Sequence, residues 1–280
     1  STGDGVTSTA ANNIAIGTQA LRANTTGDNN VAIGYTAAKL NDSGHDNTAI
    51  GNNALGSNVS THYNTAIGSS ALANATGSNN TVVGNAAGMA LASGSYDYNT
   101  FVGFNVLAGS SVPIYSTTYA TGVGSEALRW GSGTGNIGVG GAALYVATGT
   151  YNAALGYEAG MGITSGAGNI AIGHDALYTS GTSITGDNNI AIGYQALSGL
   201  TNGANNVAVG YQAGSAGTAI TTGSNNTLIG YQAQADANNY TNGTALGNGA
   251  VLTASNRIVL GNTSIATIYA QVNTITGISD

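Results

Sequence analysis

Two of the three histidines, His45 and His62, each lie six residues before a glycine of the same recurring phrase. That shared offset sets the two imidazoles one rung apart at a turn, with Asp46 beside the first, and the chemistry such a group could do is metal ligation. A metal site in a repeating chain needs a dense ligand set renewed in every turn. Two imidazoles and one carboxylate fall short of that, so no metal and no cofactor are expected. His174 and Asp175 form a second pair with nothing further to join them. Serine, histidine and aspartate all occur, but no nucleophile elbow or other catalytic spacing links them, so the chain is not expected to be an enzyme. Calcium-binding repeats require an Asp in each turn, whereas Asp28, Asp46, Asp97 and Asp187 are sporadic. Paired carboxylates for cleaving glycans are equally scarce among eleven acidic residues.

What must position these groups is a phrase that recurs fifteen times: Asn, a β-branched or small residue, Ala, an aliphatic, then Gly, as in Asn13-Ile14-Ala15-Ile16-Gly17. Its glycines fall at 17, 34, 51, 68, 84, 103, 124, 140, 156, 173, 193, 210, 230, 247 and 261, so the basic unit is 16 or 17 residues. A period this short holds brief strands and turns but no helix pair. Each unit therefore predicts one coil of an all-β, parallel β-solenoid, and fifteen coils at the strand spacing make a rod about 70 Å long. The solenoid is expected over 1–261, with a separate C-terminal β segment over 262–280. Solenoids grow in one dimension, so no boundary is needed inside the first segment.

Columns of the repeat give expectations for each face. The residue before the phrase glycine is Ile, Val or Leu in all fifteen units and is expected to fill the coil. Two before the glycine the residue is mostly Ala, and strand alternation turns it to the other face. A small face repeated over many rungs suggests the close approach of sister chains. Ala15, Ala32, Ala49, Ala66, Ala171, Ala191 and Ala208 are therefore the expected interface of a parallel homotrimer, since one coil buries few aliphatics for the residues it orders. Ala three after the glycine, often followed by Leu as at Leu55 and Leu72, predicts a second strand in each coil. Asn four before the glycine, in twelve units, predicts stacked side chains bonded from rung to rung. An ice-binding threonine ladder stays a minor alternative, because Ile14, Val31, Ile137, Ile170 and Ile190 interrupt the Thr column three before Gly.

Composition narrows the partners. Forty-five glycines with so few charges would suit disorder if the apolar residues were not phased. A net charge of −7, with Arg22, Lys39, Arg129 and Arg257 far apart, argues against nucleic acid. No apolar run is long enough to span a membrane. There is no cysteine and hence no disulfide framework, and the start at Ser1-Thr2-Gly3 is expected to mark a processed product or an excised fragment. The units that break the period furthest, between Gly84 and Gly124, put extra residues into loops, and Tyr96, Tyr98, Tyr115, Tyr119 and Trp130 cluster there. Clustered aromatics stack on sugars or anchor protein partners, so these are the expected receptor-binding residues, for a host cell-surface glycan or protein. Tyr35, Tyr157, Tyr194, Tyr211 and Tyr231, each directly after a phrase glycine, predict a stacked structural stripe.

Asn-Asn-Val-Ala-Ile-Gly followed by Ala-Leu resembles the head repeats of YadA-like trimeric autotransporter adhesins, and the likeness covers nearly the whole chain. It implies a left-handed parallel β-roll assembled from three chains. Those heads commonly use units as short as the last step here, 14 residues from Gly247 to Gly261, so the longer units imply longer outer turns. Similar phrases occur in tail fibres of bacterial viruses. The stretch from Asn262 to Asp280 is similar to the segment preceding the self-cleaving intramolecular chaperone of such fibres, whose release point is a Ser-Asp junction. The resemblance therefore implies proteolytic release at Ser279 and Asp280, an extracellular location on a virion tail fibre, and a shaft and receptor-binding role. An adhesin head on the bacterial outer surface is the alternative, and a glycan-cleaving tailspike a more distant one.

Overall fold

A computed structural model of the 280-residue chain describes residues 9–74, 76–89, 96–109 and 117–265. All of it is strand, turn and bend. Each phrase forms one short strand, from Ile14–Ile16 to Ile258–Leu260, and the fifteen strands pair in chain order into a single parallel sheet. The register is unshifted, with Ala15 beside Ala32 and Ala32 beside Ala49. The chain is thus a parallel β-solenoid of about 14 turns.

The two faces of that sheet are the reverse of the sequence expectation. Ala32, Ala49, Ala66, Ala171, Ala191 and Ala208 have no solvent exposure and point into the coil, and Ala15 packs against the same core. The Ile, Val and Leu column points outward: Ile16, Ile67, Val102, Leu155, Ile172, Ile229 and Leu246 are all exposed. The coil is too narrow for two large opposing columns. Where Phe101 enters, the neighbour on the next rung shrinks to Gly122, a position where a Cβ would press on both Phe101 and Val106.

The opposite wall is not the second strand that the Ala-Leu pairs predict. In a strand, consecutive residues face opposite sides. Here Ala54 and Leu55 are both fully buried, and so are Ala71 and Leu72, Ala143 and Leu144, and Ala196 and Leu197. The backbone achieves this by placing the Leu in the left-handed region, with φ near +50° at Leu55, Leu144 and Leu197. That conformation costs an L-residue about 1 kcal/mol, and burying Leu returns about 2 kcal/mol. Where Gly replaces Leu at this place, as at Gly88, Gly160 and Gly214, the Leu of the preceding coil reaches into the vacated space. The residue type also explains the exception. Val251 is β-branched and disfavours positive φ, and there the wall does form strands, Gln234–Ala235 paired with Val251–Leu252.

The Asn expectation holds in detail. From Asn136 to Asn226 every ladder Asn is buried, and each side chain uses both ends. Asn152 donates from Nδ2 to Asn136 Oδ1 and to the Gly166 carbonyl, while its Oδ1 accepts the backbone N–H and the Nδ2 of Asn169. A similar ladder runs from Asn30 to Asn99, ending where Ala120 stands in the column. Asn152→Ala should leave the Asn169 N–H and the Gly166 carbonyl buried without these partners, and is expected to cost about 3 kcal/mol, read as a lowered urea midpoint with an unchanged slope.

Candidate functional site

Surface chemistry on this rod is organised by column. Each residue repeats one rung above its counterpart, so any exposed side chain type becomes a ladder parallel to the axis. Three such ladders concern function.

The first is aliphatic. The residue directly before the phrase glycine, for example Ile16 or Ile172, forms an outward aliphatic column running the length of the sheet, while the column on the other side of the inward Ala mixes aliphatics such as Ile14 and Ile170 with threonines such as Thr48, Thr65, Thr81 and Thr100. Members of the aliphatic column are half-buried or exposed, with Ile16 at 58% the most open. Strand pairing holds them in register at one rung spacing, so they make one continuous apolar band rather than scattered residues.

The second ladder is aromatic and begins one residue past the phrase glycine. Tyr157, His174, Tyr194, Tyr211 and Tyr231 stack consecutively, with ring centroids 5.2, 5.4, 5.2 and 5.1 Å apart. The Tyr194, Tyr211 and Tyr231 rings are parallel within 12°. This is the stacked stripe expected from the sequence, with His174 as an unforeseen member. Tyr35 stands apart from it, flanked in its column by Thr18 and Asn52. Beside the stack runs a glutamine ladder in which Gln232 donates to Gln212, Gln212 to Gln195, and Gln195 to Asp175. Every amide in it points the same way, and Asp175, an acceptor only, receives the chain of donors while also facing His174 Nδ1 at 3.1 Å.

The third group lies before the strands, at the turn entering the Asn ladder. Tyr98 and Tyr119 are exposed and stacked, with ring centroids 5.2 Å apart and planes 6° from parallel. Both sit at positive φ, so their backbone is fixed by the turn and their rings project from it. Of the other residues expected to bind a receptor, Tyr96 is excluded from the surface: its side chain is fully buried in the core, and burial pushes its hydroxyl pKa up. The sequence grouped it with Tyr98 by type, but its place is in a column held mostly by glycines such as Gly77, which is buried. Trp130 is half-buried over Gly109, with the Arg129 guanidinium 5.5 Å from its ring centroid and paired in turn with Glu126. Tyr115, Ser279 and Asp280 lie outside the described residues.

His45 and His62 do meet on adjacent rungs, stacked with centroids 3.8 Å apart and 22° from parallel. His62 Nδ1 accepts the His45 backbone N–H at 3.1 Å, and His45 Nδ1 lies 2.8 Å from Asp46 Oδ2. Burial, then the neighbouring imidazole, holds the His62 pKa below the usual histidine value, against a smaller opposite pull from Asp46. Both Nδ1 atoms are thus occupied by hydrogen bonds, and the rings meet face to face instead of directing lone pairs to a common point. Among the described residues no group of three or more His, Cys, Asp or Glu side chains could hold a metal ion, and no helix is long and apolar enough to cross a membrane. No protein-family model matches the chain, and no curated protein matches it either.

Proposed function

We propose that this chain is the shaft and receptor-binding segment of a trimeric extracellular fibre of a bacteriophage tail. The observation that carries this reading is the outward aliphatic band. One outward aliphatic side chain on each of fifteen rungs, half-buried or exposed in the single chain, is the kind of contiguous apolar face that marks an interaction surface. Three parallel copies around a common axis would bury the three bands against one another, and the rod form suits a component that spans distance. The partner-facing residues are then Ile16, Ile33, Ile50, Ile67 and their successors, in place of the alanines. Recognition of a host glycan or protein falls to the exposed Tyr98 and Tyr119, with the half-buried Trp130 as a further aromatic contact.

Sedimentation tests the assembly directly. The native chain is expected to run at three times its monomer mass, and Ile33→Glu combined with Ile50→Glu and Ile67→Glu to run as a monomer that keeps its β-sheet circular dichroism. A native chain that sediments as a single copy at micromolar concentration overturns the reading.

A further inference from the structure

The stacked tyrosines have a use beyond packing. We propose that Tyr98 with Tyr119, and Tyr211 with Tyr194 or Tyr231, are sites of oxidative carbon–carbon cross-linking between neighbouring coils, with a peroxide and a peroxidase as the oxidant. The three pairs have ring centroids 5.2, 5.2 and 5.1 Å apart and planes within 12° of parallel. All five rings are exposed, from 40% at Tyr194 to 63% at Tyr119, so an oxidant reaches them. Backbone pairing of successive coils holds each ring opposite its counterpart, as where Tyr211 O accepts the Gln232 N–H and Tyr194 O the Gln212 N–H. Partners fixed side by side react at an effective concentration that separate molecules in solution do not reach.

In the reaction each phenol gives up one electron and its hydroxyl proton, leaving a phenoxyl radical. Radicals on adjacent rungs join through the ring carbons ortho to oxygen. The hydrogen on each joined carbon moves to its own ring's oxygen, which restores both phenols. Hydrogen peroxide accepts the two electrons and two protons and leaves as two molecules of water. The product ties coil to coil in a chain that has no cysteine to do so.

Neighbouring tyrosines define the specificity. Tyr35 and Tyr151 are as exposed, at 55% and 69%, but no ring stacks on either among the described residues. Tyr157 is separated from Tyr194 by His174, so it has no tyrosine on the next rung.

The test treats the folded full chain with peroxidase and hydrogen peroxide, separates the products by denaturing electrophoresis, and maps dityrosine in the single-chain band by peptide mass spectrometry. Links 98–119 and 194–211 or 211–231 are expected there. Tyr211→Phe, which keeps a ring in the stack, should abolish both C-terminal links and leave 98–119 unchanged. His174→Tyr should add links to Tyr157 or Tyr194. The proposal is overturned if dityrosine occurs only in bands of two or more chains, if Tyr35 and Tyr151 are linked as often as the stacked residues, or if Tyr211→Phe leaves the C-terminal yield unaltered.

Discussion

Ala49→Glu is expected to unfold the coils around it, while the same charge one residue later, in Ile50→Glu, leaves the solenoid intact. Ala49 has no exposure, pairs in register with Ala32 and Ala66, and faces the fully buried Ala54 and Leu55 side of the coil. A carboxylate there would meet methyl groups with no cation to offset it, and the penalty for such a buried, unpaired charge is about 5 kcal/mol. That is of the order of a domain's whole stability. Ile50 lies on the outer face, where a carboxylate keeps its water, so the monomer should lose less than about 1 kcal/mol. Circular dichroism on heating distinguishes the two: a lost or strongly lowered transition for Ala49→Glu, a transition near the native one for a monomeric Ile50→Glu. Equal destabilisation by both would mean that the faces are assigned wrongly.

Gly51→Ala is expected to be nearly as damaging although it adds a single methyl group. Gly51 has φ of +137°, which L-residues rarely adopt, and its Cβ would fall well inside contact distance of the Gly68 carbonyl oxygen on the next rung. Both obstacles are backbone, so neither can be relieved by turning a side chain. Rungs would have to separate and strain the strand hydrogen bond from the Gly68 N–H to the Ile50 carbonyl. The expected cost is about 3 kcal/mol. Gly181→Ala is the matched control. Its φ is also positive, +78°, but nothing lies within 4 Å of the added carbon, so only the backbone cost of about 1 kcal/mol remains. If melting temperatures fall equally in the two variants, rung-to-rung glycine contact is not what the phrase glycine serves.

The period, the parallel rungs, the Asn ladder and the tyrosine stripe were all legible in the sequence, because each depends only on which residue recurs at which offset. Identical residues one rung apart must be neighbours once the coils stack, whatever the shape of the coil. The two faces of the strand were a different matter. Alternation separates Ala49 from Ile50, but hydrophobicity alone sends the larger side chain inward, and only the closed coil shows that its interior is already occupied by Leu55, Leu72 and the Asn side chains, so that Ala49 is the residue turned inward. The opposite wall was undetermined for a related reason: whether consecutive Ala and Leu can share one face depends on a left-handed backbone that the Leu accepts only when the core rewards it, and that Val251 refuses. Tyr96 and Tyr98, two residues apart and alike in type, were likewise sorted into core and surface by the turn between them. Offsets are a property of the chain; inside and outside are properties of the volume that the chain encloses.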